Sequence, residues 1–334
     1  MVSAQNSLPI HEALPRLKEA LDQHRNVVLQ APPGAGKSTG VPLALLNEPW
    51  VGQRKILMLE PRRLATRAVA TRMASQLNEP VGQTIGYRTR LDNKTSRATR
   101  IEVVTEGILT RRLQHDAALE DTAMVIFDEF HERNLQADLG LALCLDVQTA
   151  LRDDLKLLVM SATLDSEAIA TLLDNAPIVT STGRAFPVDT IYRSTGSRGS
   201  GVDNDTVRTV TATILRAIDA HPGDVLAFLP GQGEIRRAQR LLEEAALPRS
   251  VAILPLYGEL SPAEQDAAIR ASEPGRRKIV LTTNIAETSL TIEGIRIVVD
   301  SGLVRRARFD PATGMSGLDT ARISRAAADQ RRGR

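Results

Sequence analysis

The chain has 334 residues, more than one hydrophobic core usually organises, so its length favours two domains. Hydrophobic residues make up 42% and charged residues 25%, proportions that exclude a disordered or fibrous protein. The formal net charge is only +2, so overall charge alone does not indicate a polyanionic partner.

The cysteine content and the apolar runs bear on where the chain works. Cys144 is the only cysteine, which excludes an internal disulfide, and its apolar surroundings predict a buried, inert thiol. The N-terminus lacks a basic segment followed by an apolar run, and no apolar stretch is long enough to span a membrane. We therefore expect a cytoplasmic location without membrane contact.

In the first half, short apolar runs rich in β-branched residues alternate with longer amphipathic stretches. This alternation predicts βαβ units and a parallel sheet. Helical periodicity is present over residues 64–77 and 135–149. The predicted strands are 27–30, 56–59, 101–104, 124–127 and 157–160.

A linker is predicted at residues 193–206, where Ser, Thr, Gly, Asn and Asp crowd together. The alternation then resumes and predicts a second α/β domain, which gives domains at 1–182 and 183–334. Its predicted strands are 224–229, 251–254, 278–281 and 295–299, and its predicted helices are 209–220, 234–246 and 262–271. Two further runs around a turn-like segment predict a β-hairpin over residues 303–320.

A glycine-rich segment joins the first predicted strand to a predicted helix over 39–46. Its glycines allow backbone N–H groups to surround phosphate oxygens, its lysine adds positive charge, and its serine hydroxyl can bind Mg²⁺. A strand-to-helix turn without a ligand is the alternative, but strand, spacing, lysine and serine together favour a nucleotide site. The segment reads Ala31, Pro32, Pro33, Gly34, Ala35, Gly36, Lys37 and Ser38, with Ala31 where the strict pattern has glycine.

The tetrapeptide Asp128-Glu129-Phe130-His131 follows the predicted strand 124–127. Open α/β sheets place ligand chemistry at the carboxyl ends of their strands. We expect Asp128 to bind Mg²⁺ and Glu129 to polarise the attacking water as a general base. Two adjacent acids after a strand are also common in solvated turns, and the glycine-rich segment upstream is what favours catalysis.

These segments occur in an order that resembles the DEAH-box RNA helicases of superfamily 2, most closely the bacterial HrpB type. The resemblance covers nearly the whole chain, and Phe130 stands where the family's tetrapeptide has alanine. It implies two tandem RecA-like P-loop NTPase domains with parallel sheets and a β-hairpin extending from the second. The other matching segments are 60–65, 105–109, 161–163, 228–231, 283–289 and 330–334.

The resemblance implies site residues for ATP, or another NTP, with Mg²⁺. Lys37 and Glu129 would be catalytic, with Gln330 placing the attacking water and Arg334 acting as an arginine finger. Ser38 and Asp128 would hold the metal. Nucleotide binding would involve Ala31, Pro32, Pro33, Gly34, Ala35, Gly36, Lys37, Ser38, Thr39, Arg72, Asp128 and His131. Arg331 would be either catalytic or an interdomain ion-pair partner.

The resemblance also implies contacts with single-stranded RNA through its backbone, and therefore without sequence preference. The contacting residues would be Arg62, Arg63, Thr105, Glu106 and Gly107 in the first domain and Thr283 and Asn284 in the second. For Arg62 and Arg63, the alternative is that they only cap or solvate the next helix. A third segment, Ser161-Ala162-Thr163, would couple the nucleotide site to the domain interface through hydroxyl hydrogen bonds.

Base recognition and the end of the chain depart from the family pattern. Arg72 would hold one face of the base, but the partner position falls on Ile269, which cannot stack, so weak base discrimination is expected. The family's last motif continues past Arg334, so the chain is expected to be part of a longer protein. Alone it would bind nucleotide but hydrolyse it poorly.

The activity expected from the resemblance is NTP-dependent translocation along RNA, or unwinding in the 3′ to 5′ direction, with the hairpin separating strands. Closure of the two domains on NTP and RNA would alternate the affinity for RNA. Two alternatives stay open from the sequence: a translocase acting on DNA, and an NTP-gated RNA clamp that remodels ribonucleoprotein. Protein partners and oligomeric state are not indicated.

Overall fold

A computed structural model of the chain describes residues 8–162, 166–182, 187–193, 204–287, 290 and 292–334. The chain divides into two compact units, residues 1–186 and residues 187–334. The boundary expected from the sequence, after residue 182, lies a few residues earlier. Each unit contains its own sheet and its own hydrophobic core.

The first unit is built on an eight-stranded sheet in which all neighbouring strands are parallel except the edge pair β3 and β4. The strand order is β4-β3-β5-β2-β6-β7-β1-β8. The strands are β1 (Asn26–Gln30), β2 (Lys55–Glu60), β3 (Ile85–Arg88), β4 (Asn93–Lys94), β5 (Ile101–Thr105), β6 (Thr122–Phe127), β7 (Lys156–Ser161) and β8 (Ile178–Thr180). All five strands predicted for this half are therefore present.

Both faces of this sheet are covered by helices, which explains why its strands read as continuous apolar runs. Successive side chains of β1 alternate between faces: Val27 and Leu29 belong to one apolar cluster and Val28 to the other. One face packs against α1 (Ile10–Gln23), α2 (Lys37–Leu45) and α3 (Arg63–Gln76), and the other against α4 (Glu106–His115), α5 (Leu135–Ala150) and α6 (Ser166–Leu172).

The second unit contains a parallel four-stranded sheet in the order β10-β11-β9-β12. The strands are β9 (Asp224–Phe228), β10 (Val251–Leu256), β11 (Arg277–Thr282) and β12 (Ile295–Asp300). The helices are α7 (Asn204–Ala220), α8 (Gln232–Glu244), α9 (Pro262–Ile269) and α10 (Arg325–Arg332). Its core is formed mainly by α7 and α8 against β9 and β11. The predicted second α/β domain is confirmed.

The predicted hairpin is also present, as the antiparallel pair β13 (Leu303–Asp310) and β14 (Met315–Arg322). Its turn is closed by the N–H of Gly314, which donates to the carbonyl of Asp310 over 2.9 Å. Gly314 has a φ of 67°, a left-handed value that glycine adopts without strain. Most hairpin side chains are exposed, including Phe309 and Leu318.

The predicted linker was partly wrong. Residues 194–203 of it lie outside the described residues, but the last part, from residue 204, is the first turn of α7. Asn and Asp, which suggested a loop, are also favoured at helix N-termini, where they complement unpaired N–H groups and the helix dipole. Elsewhere, no helix in the described part of the chain combines the length and apolar character needed to cross a membrane.

The buried thiol of Cys144 provides a test of the first core. Cys144 lies fully buried on α5, and burial raises its pKa to about 12. Only the thiolate reacts at a useful rate, so we expect the native protein to resist a maleimide or disulfide reagent at pH 8. The same reagent should modify one thiol per chain in denaturant. Rapid stoichiometric labelling without denaturant would contradict the packing of α5.

Candidate functional site

The sequence motifs of the first unit meet along one edge of its sheet. Because β5, β2, β6, β7 and β1 are neighbours and parallel, the segments that follow them emerge side by side. This is the edge at which open α/β sheets bind ligands. In sheet order, the motif residues at this edge are Thr105, Arg62, Asp128, Ser161 and Ala31.

The glycine-rich segment forms a tight loop between β1 and α2. Gly34 and Gly36 have φ values of 77° and 87°, in the left-handed region that glycine adopts most easily. A Cβ at Gly36 would also lie 2.6 Å from Cδ1 of Leu8. Ala31 is fully buried in the core and donates its N–H to Ser161 O over 3.0 Å. A methyl group therefore fits at the position where the strict pattern has glycine.

A buried ion pair links this loop to the acidic tetrapeptide. Lys37, the first residue of α2, places its Nζ 2.8 Å from Oε1 of Glu129, and both side chains are about 5% exposed. Burial by itself lowers the pKa of Lys37, but the carboxylates of Glu129 and Asp128 outweigh it and raise this pKa above its ordinary value. Lys37 is therefore a fixed positive charge at the loop.

Asp128 and Ser38 form a pair of hard oxygen donors beside Lys37. The Ser38 hydroxyl hydrogen-bonds to the Asp128 carboxylate, and Asp128 Oδ1 accepts the N–H of Glu129 over 2.8 Å. The other oxygen, Oδ2, is buried without a hydrogen-bond partner among the described residues. A buried carboxylate oxygen with spare capacity beside a hydroxyl matches the ligands that Mg²⁺ prefers, so these residues fit the metal.

His131 connects the tetrapeptide to the end of β7. Its Nδ1 accepts the N–H of Ala162 over 3.3 Å, which assigns the ring proton to Nε2. Nδ1 also lies 3.4 Å from Oε2 of Glu129. Burial lowers the pKa of His131, and Glu129 only partly offsets it, so the ring is neutral at neutral pH. Ser161 accepts the N–H of Ala31, and Ala162 donates to His131, through backbone groups. Thr163 lies outside the described residues.

Phe130 holds the tetrapeptide in a strained turn. It is buried, and its ring meets that of Phe127 edge to face at a centroid distance of 6.0 Å. Glu129 and Arg133 on either side have φ values of 51° and 40°, which are unfavourable for residues with a side chain. The Arg133 guanidinium lies 5.5 Å from the centroid of Phe130. Packing of the Phe130 ring, which is larger than the alanine of the family's tetrapeptide, therefore opposes relaxation of the turn.

Of the predicted nucleic-acid residues that follow β2, one is paired and one is exposed. Arg62 Nη2 lies 3.0 Å from Oε2 of Glu132, and the two side chains are 21% and 19% exposed. Its carbonyl also accepts the N–H of Thr66, so Arg62 caps α3 through its backbone. Arg63 is exposed at the start of α3. Capping and a phosphate contact are compatible, because they use different atoms of Arg62.

The predicted contact residues after β5 lie at the start of α4. Thr105 is the N-cap residue, and Gly107 is exposed with open space around it. Glu106 Oε1 accepts a 2.8 Å hydrogen bond from Nδ2 of Asn134. Burial raises the pKa of Glu106, and the Asn134 hydrogen bond partly offsets it. The carboxylate of Glu106 is thus engaged within the protein.

In the second unit, the predicted residues follow β11 and lie on α10. Thr283 is half-buried and Asn284 is exposed directly after β11. Gln330 is half-buried on α10. Arg334 donates from Nη1 to the carbonyl of Leu290 over 3.2 Å. The roles of these four residues stay predictions.

Arg331 is an ion-pair centre within the second unit. It is 1% exposed, and its guanidinium pairs with Glu287 at 2.9 Å and Asp300 at 2.8 Å. It also lies 4.7 Å from the ring centroid of Phe228. All of these contacts belong to its own unit, and the two expected roles of Arg331, catalytic or interdomain, stay predictions. A buried cation needs such local compensation.

The predicted base-binding residues are far apart in sequence and belong to different units. Arg72 is exposed on α3, and Ile269 is the half-buried last residue of α9. The carbonyl of Ile269 accepts from Lys278 Nζ over 3.4 Å. A role for Arg72 against the base stays a prediction.

Two residues of this edge were missed by sequence reasoning. Glu132 and Asn134 lie just after the tetrapeptide and pair with Arg62 and Glu106, which both belong to predicted nucleic-acid segments. Their position within a few residues of Glu129 was the available signal. Polar residues in a loop are too common for that signal to identify their partners.

Family profiles and individual relatives match almost the whole chain. The profile of the DEAD/DEAH box helicases matches residues 11–172, and that of the helicase conserved C-terminal domain matches residues 206–334. The ATP-dependent RNA helicase HrpB of Escherichia coli (strain K12) is 53% identical over 329 residues, covering 98% of this chain and 40% of that protein. The ATP-dependent RNA helicase HrpA of Borreliella burgdorferi is 34% identical, covering 98% and 39%.

The comparison with solved structures also finds a helicase of this family. The crystal structure of the Escherichia coli DEAH/RHA helicase HrpB matches with a TM-score of 0.88 and 51% identity, over 98% of this chain and 41% of that chain. The chain thus spans about 40% of the length of the curated relatives it matches.

Asp128 provides a stability test of the site. Because burial raises its pKa, its contribution to stability is largest below the ordinary pKa of an aspartic acid and is lost as pH rises through the raised value. We expect Asp128→Asn without Mg²⁺ to raise the melting temperature at pH 7, because the substitution removes the cost of burying a carboxylate. The rise should be about 2–4 °C for each kcal/mol of that cost. The gain should shrink toward pH 4.

The exposed carboxylate of Asp153 provides the control, and Asp153→Asn should leave the melting temperature nearly unchanged. Scanning calorimetry in a chelator at both pH values makes the comparison. A lower melting temperature of Asp128→Asn at pH 7 would show that the ionised carboxylate stabilises the fold.

Proposed function

Because the chain belongs to the DEAD/DEAH box helicases, we propose that it couples hydrolysis of ATP, or another NTP, to movement along RNA or its unwinding. The observation that carries the proposal is the buried cluster of Lys37, Glu129, Asp128 and Ser38 at the glycine-rich loop. It lies on the same sheet edge as Arg62 and Thr105. One edge would thus serve both the phosphate chemistry and the binding of the RNA backbone.

The nucleotide phosphates would bind in the loop formed by residues 31–36, with the N-terminus of α2 and the Lys37 charge directed at them. Lys37 would then exchange its partner Glu129 for a phosphate oxygen. Ser38 and Asp128 would hold Mg²⁺, which neutralises phosphate charge when bound. Thr39 follows at the start of α2 and would complete the phosphate contacts.

Glu129 would act as the general base, taking a proton from the water that attacks the γ-phosphate. Its release from Lys37 supplies a free carboxylate oxygen at the moment when the nucleotide is bound. The neutral His131 beside it would donate from Nε2 rather than compete for that proton. Gln330 and Arg334 would act on the same phosphate, as water-positioning group and arginine finger.

RNA would be bound through its phosphates and sugars, without sequence preference. Exposed Arg63, exposed Asn284 and the open surface at Gly107 support this assignment, because each is accessible to a polymer. The full set comprises Arg62, Arg63, Thr105, Glu106, Gly107, Thr283 and Asn284. The direction of movement, 3′ to 5′, strand separation by the hairpin and a cytoplasmic setting are further parts of the proposal.

The test compares the wild-type chain with Glu129→Gln, in a chain that continues past Arg334 through the remainder of the last motif. We expect single-stranded RNA to stimulate NTP hydrolysis in the wild type and the substitution to lower the stimulated rate by about 10²- to 10⁴-fold, because a general base is lost. Nucleotide affinity should be retained. Hydrolysis is measured as phosphate release and affinity with a fluorescent nucleotide.

The control is Glu167→Gln, which removes an exposed carboxylate on α6. Equal rates in wild type and Glu129→Gln would exclude Glu129 as the base. DNA of the same sequence serves as competitor, and stronger stimulation by DNA would redirect the proposal to a DNA translocase. RNA stimulation without displacement of a duplex bearing a 3′ overhang would instead indicate an NTP-gated RNA clamp.

A further inference from the structure

The segment of residues 128–134 contacts four other motifs of the first unit. On the nucleotide side, Glu129 pairs with Lys37, and His131 accepts the N–H of Ala162. On the side of the proposed RNA contacts, Glu132 pairs with Arg62 and Asn134 donates to Glu106. No more than two residues therefore separate the carboxylate that faces the phosphate loop from the one that holds Arg62.

This segment is a short turn held by packing at its centre. Left-handed backbone at Glu129 and Arg133 brackets its short helical turn. The buried ring of Phe130 fixes the turn against Phe127. Residues in such strained conformations persist only when their surroundings hold them. The packing that holds this turn would then carry a displacement at one end to the other.

We propose that Glu132 is a positioning residue through which RNA bound at Arg62 acts on Glu129. Without RNA, the guanidinium of Arg62 is held by Glu132, while both side chains remain about one-fifth exposed. An RNA phosphate prefers the same fork of N–H donors and competes with Glu132 for it. The loss or weakening of that pair shifts the 128–134 segment and, with it, Glu129 relative to Lys37.

The path from Arg62 through Glu132 to Glu129 is called the relay below. Asn134 gives it a second contact with a proposed RNA segment. Its Nδ2 donates to Glu106, while its Oδ1 accepts the N–H groups of Gln136 and Ala137 and caps α5. The end of the segment is thereby attached both to the α4 N-terminus, where Gly107 is exposed, and to a helix in the core. The relay thus has one releasable contact, at Arg62, and one anchored contact, at Glu106.

The inference rests on the proposed function, since it needs a nucleotide at Lys37 and RNA at Arg62. Two ligands coupled in this way change each other's affinity by the same factor, and such factors are typically about 5- to 150-fold. The coupling is measurable without hydrolysis, as the ratio of RNA dissociation constants without and with nucleotide.

The experiment measures fluorescence anisotropy of a labelled single-stranded RNA, with and without a non-hydrolysable NTP analogue and Mg²⁺. We expect a coupling factor of at least about 5 in the wild type and within about twofold of 1 in Glu132→Gln. Glu132→Gln should bind RNA without nucleotide as tightly as the wild type or more tightly, because Arg62 loses a charged competitor. A residue that only supports the fold would not combine unimpaired RNA binding with lost coupling.

The matched control is Glu48→Gln, which removes the ion pair of Lys18 with Glu48, a carboxylate that is 21% exposed. Neither residue belongs to the proposed nucleotide or RNA contacts, so the control should keep the wild-type coupling factor. Asn134→Asp is the second variant: it keeps the capping oxygen, loses the donor to Glu106, and should lower the factor as well. If circular dichroism shows that Glu132→Gln does not fold, Asn134→Asp replaces it in the experiment.

Wild-type coupling retained in Glu132→Gln, or in Asn134→Asp if only that variant folds, overturns the inference and leaves the proposed function standing. A wild-type chain that binds neither nucleotide nor RNA overturns both. A wild-type chain that binds both ligands without coupling overturns the relay alone, because there is then nothing for Glu132 to transmit.

Discussion

The buried ion pair of Lys37 with Glu129 is the interaction on which the first unit's chemistry depends. Two charges at about 5% exposure lose most of their hydration, and such pairs rarely stabilise a fold more than apolar residues would. Asp128 adds a second carboxylate beside the same lysine. The cluster therefore has two carboxyl groups for one lysine and an oxygen with spare capacity, which a magnesium ion bound with the nucleotide is suited to use. Its presence is best explained by ligand binding rather than by stability.

Parallel strand order makes this cluster available to the rest of the edge. Because β6 lies between β2 and β7, the segment after it can reach Arg62 on one side and Ala162 on the other. The second unit uses a comparable device in Arg331, a buried cation that holds Glu287 and Asp300 together. In each unit, a buried cation joins segments that are distant in sequence. Substitution of either would leave carboxylates without compensation.

The strands 27–30, 56–59, 101–104, 124–127 and 157–160, the turn between β1 and α2, and the family were predicted correctly because each has a local signal. Strand β3 was missed since it is short and contains Gly86, and α1 was missed although its apolar residues recur at helical spacing around Pro15. The pairs of Lys37 with Glu129 and Arg62 with Glu132 join residues 92 and 70 positions apart. No local pattern specifies such partners. The strain at Glu129 was likewise invisible, because it results from packing around Phe130.

The central claim is that Lys37 exchanges Glu129 for a phosphate oxygen when nucleotide binds. A crystal structure of the chain with Mg²⁺ and a non-hydrolysable NTP analogue tests it most directly. The account predicts Lys37 Nζ within hydrogen-bond distance of a phosphate oxygen, and Glu129 turned toward the water facing the γ-phosphate. A structure in which Lys37 still pairs with Glu129 at 2.8 Å, with the phosphates bound elsewhere, would contradict it.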